Sequence, residues 1–253
     1  MPRCIVREVE AKSILNRSKI HDYCVNPYTG CEVGCAYCYA ALFMRRYSGH
    51  SEPWGAFVDI KVNAPDLLAR QILRAKRGTI WFASVCDPYQ PIEERYALTR
   101  RLLEVLAGRD FPVSIQTKSA LVRRDLDVIR RIPNVEVGFT ITTEDETMAK
   151  LFEPKASPVR ERVAVLREFR KAGIATFAFA GPLLPGDPEK LAALLRGAVD
   201  RVLVDRMNYE SSVRKVYARH GLLHALDDSF FRAQAKRLAE ALRGSGVRVE
   251  VLF

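Results

Sequence analysis

From about residue 79 onward the chain alternates short, nearly continuous apolar runs with longer stretches whose apolar residues recur every three or four positions. The runs at 79–84, 113–117, 135–142, 174–180, 202–205 and 247–252 are rich in β-branched and aromatic residues and bounded by turn formers. That pattern predicts strands buried on both faces. Between them, 93–106, 124–131, 158–172, 188–199 and 230–243 read as amphipathic helices. In the third of these, Val163, Leu166 and Phe169 form a core-facing stripe, and Arg162, Arg167 and Arg170 are expected on a solvated basic face. Upstream, 23–25 reads as a first strand with 39–47 as its helix. Residues 57–62 read as a peripheral strand feeding a helix capped at Asn63.

Strand–helix alternation of this kind predicts an α/β fold with a parallel sheet, open or closed into a full or partial barrel. No Gly/Ser linker and no internal repeat interrupts the pattern. One domain is therefore expected over 1–253, with a core of about 20–208 and an α/β extension over 209–253. In such folds the chemistry sits at the C-terminal ends of the strands, in the loops that follow.

Composition narrows the class. With 48% hydrophobic residues the chain is globular rather than disordered. No apolar stretch follows the charged N-terminus, and the longest apolar runs fall short of the ~20 residues that span a bilayer, so a cytoplasmic protein without a membrane partner is expected. A net charge of +10 leaves a polyanionic partner such as nucleic acid open. No Gly-x-Gly-x-x-Gly or phosphate-binding loop points to nucleotide hydrolysis or a dinucleotide cofactor, and the four histidines show no metalloprotease or triad spacing.

All six cysteines (4, 24, 31, 35, 38 and 86) lie in the first third of the chain. A reducing compartment disfavours disulfides, so clustered cysteines point to metal or to chemistry. Cys31, Cys35 and Cys38 follow the first strand at spacings of four and three, flanked by Gly30 and Gly34, which would let the backbone fold round a bulky guest. Three thiolates suit a four-iron cluster with one open iron. A zinc site completed by Cys24, His21 or Cys86, and a closed cluster with Cys24 as fourth ligand, are the chemical alternatives. Three strand-end segments add candidates: Cys86-Asp87-Pro88-Tyr89-Gln90-Pro91-Ile92-Glu93, with Asp87 and Glu93 offered as carboxylates at a site rim; Lys118, placed to pair with a ligand carboxylate; and Thr140 among hydroxyls ending a later strand.

Cys31-x-x-x-Cys35-x-Tyr37-Cys38 resembles the signature of the radical SAM superfamily. Together with the segments around Cys86, Lys118, Thr140, 152–162, 181–186 and 205–208, the chain from about 26 to 208 is similar to the spore photoproduct lyase group, often labelled DNA repair photolyase-like. The resemblance implies a partial (β/α)6 TIM-like barrel. It further implies a 4Fe-4S cluster on Cys31, Cys35 and Cys38 whose open iron chelates S-adenosylmethionine, and one-electron cleavage to a 5′-deoxyadenosyl radical that abstracts hydrogen. It assigns hydrogen donation to Cys86, hydrogen return to Tyr37 and Tyr39, and contacts with S-adenosylmethionine to Tyr37, Lys118 and Thr140. It also implies a reductase partner such as flavodoxin or ferredoxin. One departure stands out: Cys86 is followed by Asp-Pro-Tyr-Gln-Pro, where the lyases have Thr-Ser-Asp. Nucleic acid is the expected substrate, with a peptide or small metabolite as the alternative. A non-catalytic closed-cluster or zinc-binding nucleic-acid protein is the reading outside enzymes.

Overall fold

The computed structural model describes residues 4–253, which form two compact units. The first holds the described residues up to Gly34 together with Ala40–Val137; the second holds Cys35–Tyr39 and Gly138–Phe253. The strands are β1 (Ile5–Val9), β2 (Leu15–Arg17), β3 (Tyr23–Val25), β4 (Tyr28–Thr29), β5 (Phe57–Lys61), β6 (Ile80–Phe82), β7 (Val113–Thr117), β8 (Val135–Thr140), β9 (Ala175–Ala180), β10 (Arg201–Val204) and β11 (Arg248–Val251). The helices are α1 (Ala40–Ser48), α2 (Ala64–Gln71), α3 (Glu93–Tyr96), α4 (Leu98–Leu106), α5 (Leu126–Ile129), α6 (Glu146–Phe152), α7 (Val159–Lys171), α8 (Pro188–Leu195), α9 (Glu210–Arg219) and α10 (Asp228–Leu242).

In the first unit β3, β6 and β7 pair in parallel, with β2 antiparallel on the outer edge of β3. Val25, Ile80, Phe82, Val113 and Ile115 are almost completely buried, and removing each such side chain from water is worth about 1.5–3 kcal/mol. A second, small sheet runs β1–β5–β4. Its middle strand is β5, whose Phe57, Val58 and Ile60 are fully buried, so this strand is central to its sheet rather than peripheral. In the second unit β9, β10 and β11 pair in parallel, and the last strand of the expected extension is therefore an integral part of the sheet. α10 packs on α8 beside it. Asp187 accepts the N–H groups of Glu189 (3.0 Å) and Lys190 (3.3 Å) to start α8, with Pro188 in the first turn, where a missing N–H costs nothing.

Two local expectations fail for identifiable reasons. Asn63 precedes α2, but its side chain does not cap the helix; it bonds the N–H and carbonyl of Ala11 (2.9 and 3.0 Å) and so fastens the N-terminal segment. The single helix expected over 93–106 breaks at Ala97, which adopts φ 47° in the left-handed region. The carboxylate of Glu93, at the start of α3, accepts the N–H of Thr99 (2.9 Å) and of Arg100 (3.4 Å), so a side-chain cap from the preceding helix restarts the helix there. Among the described residues no helix is long and apolar enough to cross a membrane.

Left-handed backbone costs an alanine about 1–2 kcal/mol that glycine does not incur, less roughly 0.4–1 kcal/mol of extra unfolded-state entropy for glycine. Ala97→Gly is therefore expected to raise stability by on the order of 0.5–1 kcal/mol, read from urea midpoints; a loss of stability would show that the kink is not strained.

Candidate functional site

In the first unit, a set of side-chain bonds to strand-end loops surrounds Cys31. Asn26, just past β3, donates to Ser84 Oγ (3.1 Å) and Cys24 Sγ (3.6 Å) and accepts the N–H of Val85 (3.0 Å), tying β3 to the loop that carries Cys86. Its carbonyl accepts Lys61 Nζ (2.8 Å). Burial lowers the Lys61 pKa, and the nearby Cys86, Cys24 and Asp59 oppose that shift. Asp87 makes the next join. Its N–H donates to Cys31 Sγ (3.4 Å), while its carboxylate accepts Tyr89 N (2.9 Å), Thr117 Oγ1 (2.6 Å) and Lys118 N (2.7 Å). Gln90, fully buried, fastens both neighbours of Cys31: it accepts Glu32 N (2.8 Å) and donates to Gly30 O (3.3 Å).

Neither Asp87 nor Glu93 is a rim carboxylate. Asp87 is buried and committed to the bonds above. Glu93 is fully buried, accepts the Tyr28 hydroxyl and pairs with Arg124 at 2.7 Å. Burial first, and the Glu93 charge second, push the Tyr28 pKa up. Both carboxylates follow a strand in a Pro-rich loop, which placed them near the chemistry, but only packing shows that they face inward. Gly30 likewise serves packing: it sits at φ 87°, and a Cβ there would overlap the Phe57 carbonyl of β5.

In the second unit the segment Cys35–Tyr39 is fixed by Ala36 N to Phe152 O (2.9 Å) and Cys38 N to Cys35 O (3.2 Å). Beneath it lies a buried charge network. Tyr37 donates its hydroxyl to Glu153 Oε1, which also accepts Thr142 Oγ1 (3.3 Å). Glu153 Oε2 pairs with Arg162 Nη1 at 2.5 Å. Arg162 is 1% exposed and also donates to Ser157 O (2.6 Å) and Thr140 O (2.9 Å). The expectation that Arg162 lies on a solvated face is therefore wrong. Val159, Arg162, Val163, Leu166 and Phe169 share one stripe at helical spacing, and that register already placed Arg162 among core residues. Burial, then the Glu153 and Cys35 charges, raise the Tyr37 pKa well above the ordinary value. Burial, the largest single influence, would lower the Arg162 pKa, but the charge and hydrogen bond of Glu153 together with the Tyr37 and Cys35 charges outweigh it and the net shift is upward.

The other candidates are placed as follows. Cys86 is half-buried in the loop after β6, and Lys118 follows β7, both in the first unit. Thr140 ends β8 in the second unit and is buried. Tyr39 is 37% exposed, and its ring faces that of Tyr209, which sequence reasoning did not single out. None of the six cysteines forms a disulfide. Among the described residues no three His, Cys, Asp or Glu side chains converge as ligands of one metal ion do. Thiolates of a four-iron cluster each bind a different iron and need not converge. Three thiols closely spaced in the chain, one of them already receiving a backbone N–H on sulfur, form a donor set that fits such a cluster.

Removing one partner of the buried pair leaves the other charge unmet. Arg162→Met should cost about 3–5 kcal/mol in urea unfolding, and Glu153→Leu/Arg162→Met should cost less than the two single losses added; strict additivity would count against the pair. Tyr28 carries a raised pKa, so above 10.0, its ordinary value, the unfolded chain releases a proton that the folded chain keeps. Stability contributed by that tyrosine is complete below 10.0 and falls by about 1.4 kcal/mol per pH unit above it. Tyr28→Phe should flatten the alkaline limb of the stability profile by that slope; an unchanged limb would contradict the assignment.

The family model described as the Radical SAM superfamily matches residues 25–196. An uncharacterized protein of Methanocaldococcus jannaschii is 36% identical over 180 residues, covering 70% of this chain and 67% of that one. The radical SAM Nalpha-GlyT isomerase of Pseudomonas phage M6 is 25% identical over 162 residues, covering 63% of this chain but only 33% of its own. Among solved structures, spore photoproduct lyase complexed with dinucleoside spore photoproduct superposes with a TM-score of 0.72 at 16% identity, covering 98% of this chain and 82% of that one. At that identity the likeness speaks for the fold, an α/β fold like that of spore photoproduct lyase. Matched over more than half its length, with Cys31, Cys35 and Cys38 inside the matched segment, the chain belongs to the radical SAM superfamily.

Proposed function

We propose that this protein is a radical enzyme that takes a hydrogen atom from a nucleic acid, in repair or modification of a nucleotide. The observation that carries the reading is the Asp87 join: one residue next to Cys86 bonds the first cluster cysteine through its N–H and the loop of Lys118 through its carboxylate. When bound on Cys31, Cys35 and Cys38, a 4Fe-4S cluster with S-adenosylmethionine supplies the one-electron cleavage that yields a 5′-deoxyadenosyl radical. The chain's own residues do the rest. Lys118 would pair with the methionyl carboxylate, and Tyr37 and Thr140 would contribute contacts to S-adenosylmethionine. Glu153, on the Tyr37 hydroxyl, fixes that ring. Cys86 gives its thiol hydrogen to a carbon radical of the product: the S–H bond breaks, a C–H bond forms, and the unpaired electron stays on sulfur until a tyrosine hydrogen restores the thiol. Tyr37 and Tyr39 are the donors for that return, and the tyrosyl radical so formed regains its O–H by taking a hydrogen atom from the methyl carbon of 5′-deoxyadenosine.

Two observations are compatible with a nucleic acid: the net charge is +10, and the fold match includes a lyase solved with a dinucleoside. A base must leave its stack to meet a radical held inside a protein, so a flipped or single-stranded substrate is required. The electron comes from a flavodoxin- or ferredoxin-type reductase, and the setting is cytoplasmic.

The test is anaerobic reconstitution with dithionite and S-adenosylmethionine, followed by deuterium transfer from labelled oligonucleotides into 5′-deoxyadenosine. Formation of 5′-deoxyadenosine should vanish in Cys31→Ala, Cys35→Ala and Cys38→Ala, and Cys86→Ala should change the product distribution. Label arriving from peptides but not from oligonucleotides would move the substrate to the other class. A fully iron-loaded protein that makes no 5′-deoxyadenosine would remove the radical reading altogether.

A further inference from the structure

Two tyrosine rings of the second unit face each other at the surface, beside a basic helix: Tyr39, already given a role in hydrogen return, and Tyr209, which has none so far. The rings are near-parallel, with planes 23° apart and centroids 6.2 Å apart. That separation is at the long end of the roughly 4.5–7 Å found for paired rings, so the two faces overlap little. Tyr39 and Tyr209 remain 37% and 39% exposed, and neither ring is spent on a core. Tyr39 immediately follows the last cysteine of the cluster motif, and Tyr209 immediately precedes α9. α9 buries Val213 and Tyr217 and turns Arg214, Lys215 and Arg219 to solvent. Only a loose contact from Arg214 to Glu210, 3.9 Å, offsets that charge within the helix.

From this arrangement we infer that Tyr39 and Tyr209 form a stacking platform for a base of single-stranded nucleic acid, whose phosphates run along Arg214, Lys215 and Arg219 of α9. The inference rests on the nucleic-acid reading above and names the part of the surface that grips the strand. Flat π-faces take any base, and cations spaced along a helix track a phosphate chain, the combination by which proteins hold single strands without reading sequence. A base stacked on an outer face of either ring needs no change in their 6.2 Å centroid spacing. The same rings next to the cluster motif would hold one nucleotide of an unpaired strand near the radical chemistry while its neighbours lie on α9.

The experiment is fluorescence anisotropy of the reconstituted full chain with a short labelled oligothymidylate, across a salt series. Tyr209→Ala is expected to weaken binding roughly 5- to 150-fold, and Tyr209→Phe and Tyr39→Phe to bind like the wild type, since the ring rather than the hydroxyl does the stacking. Lys215→Gln with Arg219→Gln should lower the slope of log affinity against log salt by roughly 0.7 for each cation removed. Iron content and thermal melts confirm that each variant folds, and Tyr209→Trp, with a larger face, should restore binding. If the wild type binds the strand and Tyr209→Ala binds equally well, the platform is wrong and the nucleic-acid reading stands. If Phe is as weak as Ala, stacking is wrong as well. If the wild type binds no strand at low salt, the platform and the nucleic-acid reading fall together.

Discussion

A carboxylate taken out of water must be met by hydrogen bonds or a cation, and this structure uses that constraint to fix its cysteine motif. In the first unit Asp87 is buried, and the bonds that satisfy its carboxylate reach Tyr89, Thr117 and Lys118, while its own N–H reaches Cys31. In the second, Glu153 is satisfied by Tyr37, Thr142 and Arg162, and thereby holds the ring between Cys35 and Cys38. Truncating any member leaves a buried group unpaired, an outcome several times costlier than losing a surface ion pair. The loops are therefore specified by polar satisfaction more than by apolar burial.

That division of labour suits radical chemistry. Strands supply a rigid base through apolar packing, and the loops that must hold a cluster and its ligand are locked by directional bonds rather than left to float. Gln90 on both flanks of Cys31 and the left-handed Gly30 against β5 serve the same end. Charges are rationed accordingly. Arg162 and Arg124 are matched internally by Glu153 and Glu93, and the cations of α9 face solvent, where a polyanion would meet them.

Membership of the radical SAM superfamily settles the broad chemistry and leaves the substrate to the surface. The relatives that match in sequence are covered over two thirds of their length or less. Cys86, half-buried beside Lys61, and the exposed pair of Tyr39 and Tyr209 are where this chain's own specificity is proposed to lie.

Much of this was legible in the residues. Six parallel-strand candidates from 79 to 252 appear within one or two residues of their expected bounds, because strands buried on both faces leave an unbroken apolar run. The cysteine motif was equally plain, because its ligands are close in the chain and their spacing survives any folding. Only the tertiary structure decided which way Arg162, Glu93 and Asp87 face, why a helix breaks at Ala97, and that Tyr39 meets Tyr209. Each of those depends on a partner tens of residues away in sequence or on a cap donated by another element. A local pattern reports how a residue is spaced among its neighbours; whether a charge is buried depends on the group that comes from elsewhere to meet it.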